Sequence, residues 1–248
     1  MMKYDFSKNI GHSDLICQND GDQGDTCQRV GTFYFLASIL NIQESYRGKE
    51  IVTSFIQDAY NLSSNGVRSG RFRRHNNPSA GWYSDRQLSR DQKSILMLAF
   101  AQFGFKGRLY EAFKDNASRL FFHQNTLADD GKSFQFPDVM VPNEFSAIIR
   151  GLDMWYLIPF LYVLDISFIL EVMFFRNTKP WDYDNMLAQQ LFYAQIKYPT
   201  FISKYTYKIY QNTNFLERLK KYHKDFANGI PAIYDMFVDV NNKLKGYI

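Results

Sequence analysis

Cysteine is scarce: Cys17 and Cys27 are the only two in 248 residues. A secreted scaffold held by disulfides packs more of them into a shorter chain, so the pair is read as reduced thiols. The 7 prolines and 14 glycines are spread out. No linker of either kind divides the chain, which points to one domain over residues 1–248, with 1–18 as an irregular arm. Charge of one sign is also lacking. With 29 basic and 25 acidic residues the net charge is +4, too even for a surface built around nucleic-acid phosphates. No HExxH, CxxC, P-loop, GxGxxG or GxSxG occurs, which removes the common zinc, nucleotide and serine-hydrolase readings. Nothing calls for a cofactor, and no metal ligand set is assigned. The opening MMKYDFSKNIGHSDLI has neither an apolar core nor a small-residue cleavage site, so it is no secretory signal, and a cytoplasmic location is expected.

One long apolar run stands out, Met154 to Phe175. It is long enough to cross a bilayer. It also contains Asp165, Glu171 and Pro159, and each acid would be costly in lipid. The expectation is a buried helix of a soluble fold, with no membrane partner.

What is abundant is apolar and aromatic material, 46% and 17% of the chain, enough for a large core. Its spacing is helical almost throughout. Helices are expected over 27–47 (capped by Asp25 or Thr26 and ended by Gly48), 50–62, 89–103, 109–120, 143–152, 159–175, 183–196, 200–210, 214–226 and 232–244. Ser89 is the expected N-cap of the third helix, and Gln92 lies at capping-box spacing from it. Pro159 suits the first position of its helix. Two long loops, 67–88 and 121–142, interrupt the rhythm, and loops of that length tend to be functional. The fold class read from this pattern is all-α, a bundle of antiparallel helical hairpins with long loops at one end.

Three stretches carry candidate chemistry. Asp20, Asp22 and Asp25 precede the first helix. They offer clustered oxygens for a hard cation but lack the EF-hand order. Asp25 also suits the positive end of the helix dipole, or a catalytic carboxylate. Arg71, Arg73, Arg74 and His75, followed by Trp82 and Tyr83, combine guanidinium forks for an anionic group with flat faces for a sugar, or else form a solvated loop over tucked aromatics. Arg90-Asp91-Gln92 opens the third helix, with Asp91 as acid, base or structural carboxylate and Arg29 and Arg90 as its partners. His75 and His123 are read as surface or hydrogen-bonded residues before metal ligands. His12 and His223 have no supporting neighbours in sequence.

The segments DGDQGDTCQRVG (20–31), Ser89-Arg90-Asp91-Gln92 and Trp181-Asp182-Tyr183-Asp184 together resemble the (α/α) toroid proteins of the six-hairpin glycosidase-like superfamily. The pattern is also similar to proteins encoded by tailed bacteriophages. The resemblance implies a compact or incomplete toroid, since 248 residues is short for six hairpins. It implies carboxylates at the starts of inner helices and aromatic sugar subsites. Asp25 and Asp91 would be the catalytic pair, and Arg29, Arg74, His75, Trp82, Tyr83 and Arg90 would hold the substrate. The functions expected are a carbohydrate-active hydrolase or lyase binding a carbohydrate or other small polar ligand; or a non-catalytic phage virion or assembly protein with phage protein partners, placed in the host cytoplasm or the virion; or, third, a nucleic-acid binder using Arg68 to Arg74.

Overall fold

Contacts along the chain show that five helices point the same way. They belong to a computed structural model that describes residues 4–5, 26–42, 48, 50–51, 70–75, 88–124, 126, 133–134, 136, 138–175, 181–225 and 230–246. The helices are α1 (Thr26–Leu40), α2 (Arg90–Gln102), α3 (Lys106–Ser118), α4 (Pro142–Gly151), α5 (Ile158–Leu170), α6 (Trp181–Ile196), α7 (Phe201–Gln211), α8 (Phe215–Lys220) and α9 (Pro231–Lys245). The fold is all-α. Among the described residues β structure is confined to isolated bridges, such as the antiparallel one between Phe122 and Val139.

The common direction of α1, α2, α4, α6 and α9 follows from which residues meet. Gln28 bonds Asp91 near the start of α1 and α2, and Ser38 bonds Gln102 near their ends. Ser94 bonds Glu144 at the start of α4, and Gly151 at its end lies against Ala101. Thr32 bonds Gln189 of α6, and Phe35 meets Tyr193 about one turn further along both helices. Lys243 near the end of α9 donates to the Ile39 carbonyl at the end of α1. These helices touch in the order α1, α2, α4, α6, α9 and back to α1, and α2 also packs on α6. The return helices run the other way: Asp115, late in α3, reaches Lys93, early in α2. Gln195 at the end of α6 bonds Ser203 at the start of α7, while Tyr210 at the end of α7 bonds Asp184.

Close approach at the centre depends on small residues. A Cβ on Gly31 would lie 2.7 Å from the Ile95 side chain and 3.3 Å from its backbone, so a larger residue there would displace Ile95 or push α1 and α2 apart. α1 and α2 are buried on nearly every side, as expected of helices whose apolar residues do not fall on one face.

Helix starts agree with the local signals. Ser89 is the N-cap of α2, Pro142 opens α4, Pro159 lies in the first turn of α5, Pro231 opens α9, and Thr200 caps α7 with its hydroxyl on the Ser203 N–H. Three expectations need correction. α1 stops at Leu40 rather than at Gly48, because Asn41 takes a left-handed conformation (φ 56°) that ends the ladder. Gln92 closes no capping box, because the Ser89 hydroxyl bonds the Asp91 carboxylate instead. The helix expected to be buried over 159–175 is mostly exposed. Only 22% of the apolar window from Trp155 to Met173 is buried, and that stretch is long and apolar enough to cross a membrane. Most of the helix expected over 50–62 lies outside the described residues.

Candidate functional site

Because α1, α2, α4, α6 and α9 share a direction, their N-terminal ends collect at one end of the fold. The positive ends of their helix dipoles face that way together. Residues 70–75, 122–124, 138 and 222–223 reach the same end.

Asp91, in the first turn of α2, is half-buried. Its Oδ2 accepts from Gln28 Nε2 of α1 at 3.0 Å, and its Oδ1 accepts from the Ser89 hydroxyl. Tyr222 in turn donates to Gln28 Oε1 at 3.4 Å. One helical step along α1, Arg29 is 1% exposed and its guanidinium carbon sits 4.7 Å from the centre of the Tyr222 ring. A guanidinium over an aromatic face gains from the ring quadrupole, more so out of water. Beside it His223 is 1% exposed, and both its ring nitrogens lack a hydrogen-bond partner. Burial first, and then the Arg29 charge, hold the His223 pKa well below the ordinary value. The imidazole is therefore neutral, with one donor and one acceptor unused.

The basic loop is fastened to this end by its backbone. The Arg74 carbonyl accepts from the Cys27 N–H at 3.2 Å, serving a first-turn donor of α1. His75 is buried, while Arg71, Arg73 and Arg74 are half-buried. The Arg90 N–H donates to Asp138 at 3.4 Å, tying α2 to the second long loop. Cys27 is buried, and its thiol donates to the Gln92 carbonyl at 3.7 Å.

Among the candidate residues, then, Asp91, Arg29, Arg74, His75 and Arg90 come to one end. Asp25, Trp82 and Tyr83 lie outside the described residues, as do Asp20, Asp22 and Cys17. Among the described residues no group of three or more His, Cys, Asp or Glu is arranged to hold a metal. Gln28, Tyr222 and His223 were missed. Tyr222 and His223 are almost two hundred positions from Gln28 and Arg29, so no local spacing marks them.

Two further polar clusters flank α2, and each keeps one buried atom without a hydrogen-bond partner, Asn116 Nδ2 in the first and His123 Nδ1 in the second. Lys93 is fully buried. It donates to Asp115 at 2.9 Å and to Asn116, and Asp115 is shared with Arg71 and Arg119. Burial pulls the Lys93 pKa down to about 7, against the attraction of Asp115. Its only sequence signal is a lysine set just before the continuous apolar run of α2. On the other side Glu144 accepts from the Ser94 hydroxyl, from the Val141 N–H at 2.7 Å, and lies 3.2 Å from His123 Nε2. Burial raises the Glu144 pKa, but His123, Ser94 and Val141 outweigh it and the net shift is downward. In a nucleophilic triad the imidazole lies between hydroxyl and carboxylate. Here the carboxylate lies between the other two, which suits a structural anchor and not an activated serine.

The second feature of the surface is apolar. α5 turns Leu161, Asp165, Phe168 and Val172 inward. Asp165 is fully buried, bound by Arg150 (2.7 Å), Ser146 and Thr200, and Arg150 also donates to the carbonyls of Lys197 and Tyr198. The outward face shows Trp155, Tyr156, Phe160, Tyr162, Val163, Ile166, Leu170 and Met173, without one charged residue among them. Phe201 and Tyr205 of the adjoining α7, stacked at 6.3 Å, are exposed as well. A groove of about 270 Å³ runs between α4 and α5, lined by Phe145, Ile149, Leu157, Phe160, Val163 and Leu164.

No protein-family profile, curated protein or solved structure matches this chain.

Proposed function

We propose that the chain is a carbohydrate-active protein of the hydrolase or lyase type, with its ligand held at the end where the parallel helices begin. The observation that carries this reading is the setting of Asp91: a half-buried carboxylate oriented by Gln28 and Ser89, beside a buried Arg29 stacked on Tyr222. Burying so many polar groups at one spot is costly unless they are satisfied or used. The shared direction of five inner helices and the reversed direction of their partners support a toroid-like arrangement, in which inner-helix starts form the binding end. Asp91 is then the base or nucleophile. Asp25, directly before α1, is kept as its partner, because glycosidic cleavage needs two carboxyls ~5 to 9.5 Å apart. Arg29, Arg74, His75, Trp82, Tyr83 and Arg90 are the substrate-holding set.

The test is a glycan-binding and turnover screen of the wild type against Asp91→Asn and Asp25→Asn, each checked for unchanged thermal unfolding. Loss of binding or turnover in both is expected. Unaltered behaviour in both variants, or no glycan bound by the wild type, removes the reading.

A second reading is favoured by one observation, the charge-free apolar face of α5. It is a non-catalytic virion or assembly protein on the same fold, acting through protein contacts. Nucleic-acid binding through Arg68 to Arg74 ranks third, since Arg71 is engaged by Asp115.

A further inference from the structure

The outward face of α5 is too large and too apolar to be incidental. Trp155 is 72% exposed, Phe160 60%, Val163 65% and Phe201 75%. Taking aromatic side chains at 150–250 Å² each, the exposed set presents on the order of 900 Å² of apolar surface. A monomer rarely shows more than a few hundred Å² in one patch, whereas a stable interface takes about 800 Å² from each partner.

The pattern on the helix is also specific. Within α5, Pro159, Val163, Ile166 and Leu170 recur at spacings of four, three and four, the seam that lets one helix lie along another. Phe160 and Val163 form one wall of the groove that Phe145, Ile149, Leu157 and Leu164 complete. Projecting side chains and a receiving groove thus occupy the same face.

We propose that this face docks a second copy of the chain, α5 against α5 about a two-fold axis. In a two-fold contact each residue near the axis meets its own kind. Such a contact rejects like charges and accepts a face with none, which is what α5 presents. On α7, Lys204 and Lys208 are exposed at helical spacing from Phe201 and Tyr205, so the contact is centred on α5 and not on α7. Lipid is the weaker occupant. A helix that lies in a membrane surface keeps a charged, wet opposite face. The opposite face of α5 is instead packed on the body through Asp165 and Arg150. Full insertion would break that pair. The inference is independent of the reading of the polar end.

Light scattering coupled to size exclusion tests it. The wild type should show twice the chain mass of 29.2 kDa. A Val163→Glu, Ile166→Glu double variant should fall to the single mass with its thermal unfolding retained, since both positions are exposed. Leu170→Glu, further along the seam, should also dissociate the pair. A wild type that stays monomeric through the micromolar range overturns the proposal, and so does a dimer that persists in both variants. A monomer that co-sediments with phosphatidylcholine vesicles overturns it in favour of a lipid surface.

Discussion

The amide of Gln28 donates to the carboxylate of Asp91 at 3.0 Å, joining the first turns of two neighbouring parallel helices. The contact fixes where that carboxylate points, and Tyr222 fixes the amide in turn. Replacing Gln28 by Leu strips both bonds and leaves polar partners behind. A loss of about 1–3 kcal/mol is expected for such a change. Chemical denaturation checks it; a variant as stable as the wild type would show that Asp91 is held by other groups.

The Arg150–Asp165 pair anchors α5 to the body, with both side chains fully buried. Removing one partner strands the other charge. Arg150→Met alone should cost about 3–5 kcal/mol, as for other buried pairs. The double change Arg150→Met with Asp165→Leu should recover much of that loss. A urea titration of the three variants reads both effects. Single and double variants of equal stability would mean that the pair does not act as a unit.

His223 makes stability depend on pH in one direction. Its folded pKa lies well below 6.5, owing to burial and then to Arg29. As pH falls below that ordinary value the unfolded chain takes up a proton and the folded chain does not. Stability conferred by the neutral ring is therefore full above 6.5 and is lost as pH drops. His223→Phe, placed between Tyr222 and Phe237, should flatten the stability profile in that acidic range. An unchanged slope would show that His223 is not among the groups responsible.

Lys93 works at the other side of neutrality. Its pKa falls from 10.5 to about 7 on folding, chiefly through burial. Between those values the unfolded chain holds the extra proton, so stability should rise with pH across the window. In Lys93→Met that rise should vanish. Asp115 keeps Arg71 and Arg119 as partners, so the substitution leaves no bare carboxylate. A wild-type profile flat from neutral to mildly alkaline pH would contradict the depressed pKa.

Much of the candidate site was legible one residue at a time. Asp91 and Arg29, expected as partners, lie at the same end, where Gln28 bonds Asp91 and Tyr222 joins Gln28 to Arg29. Arg74 also contributes its backbone carbonyl to the start of α1. His223 seemed isolated because its neighbours, Arg29 and Phe237, come from distant parts of the chain. For α5, two acids within an apolar run were read as a sign of burial. Asp165 is indeed buried, yet the helix around it is not. A single inward stripe is enough to dock a helix and says little about its other face.

Helix positions, the caps at Ser89 and Thr200, the proline starts and the all-α class are set by neighbouring residues, since capping, proline geometry and a 3.6-residue period act over a turn or two. The common direction of α1, α2, α4, α6 and α9 belongs to the tertiary level, as do the gathering of Gln28, Asp91, Arg29, Tyr222 and His223 and the bare outer side of α5. Each of these depends on contacts between residues far apart in the chain, and such contacts exist only once the whole core has closed around Gly31 and its neighbours.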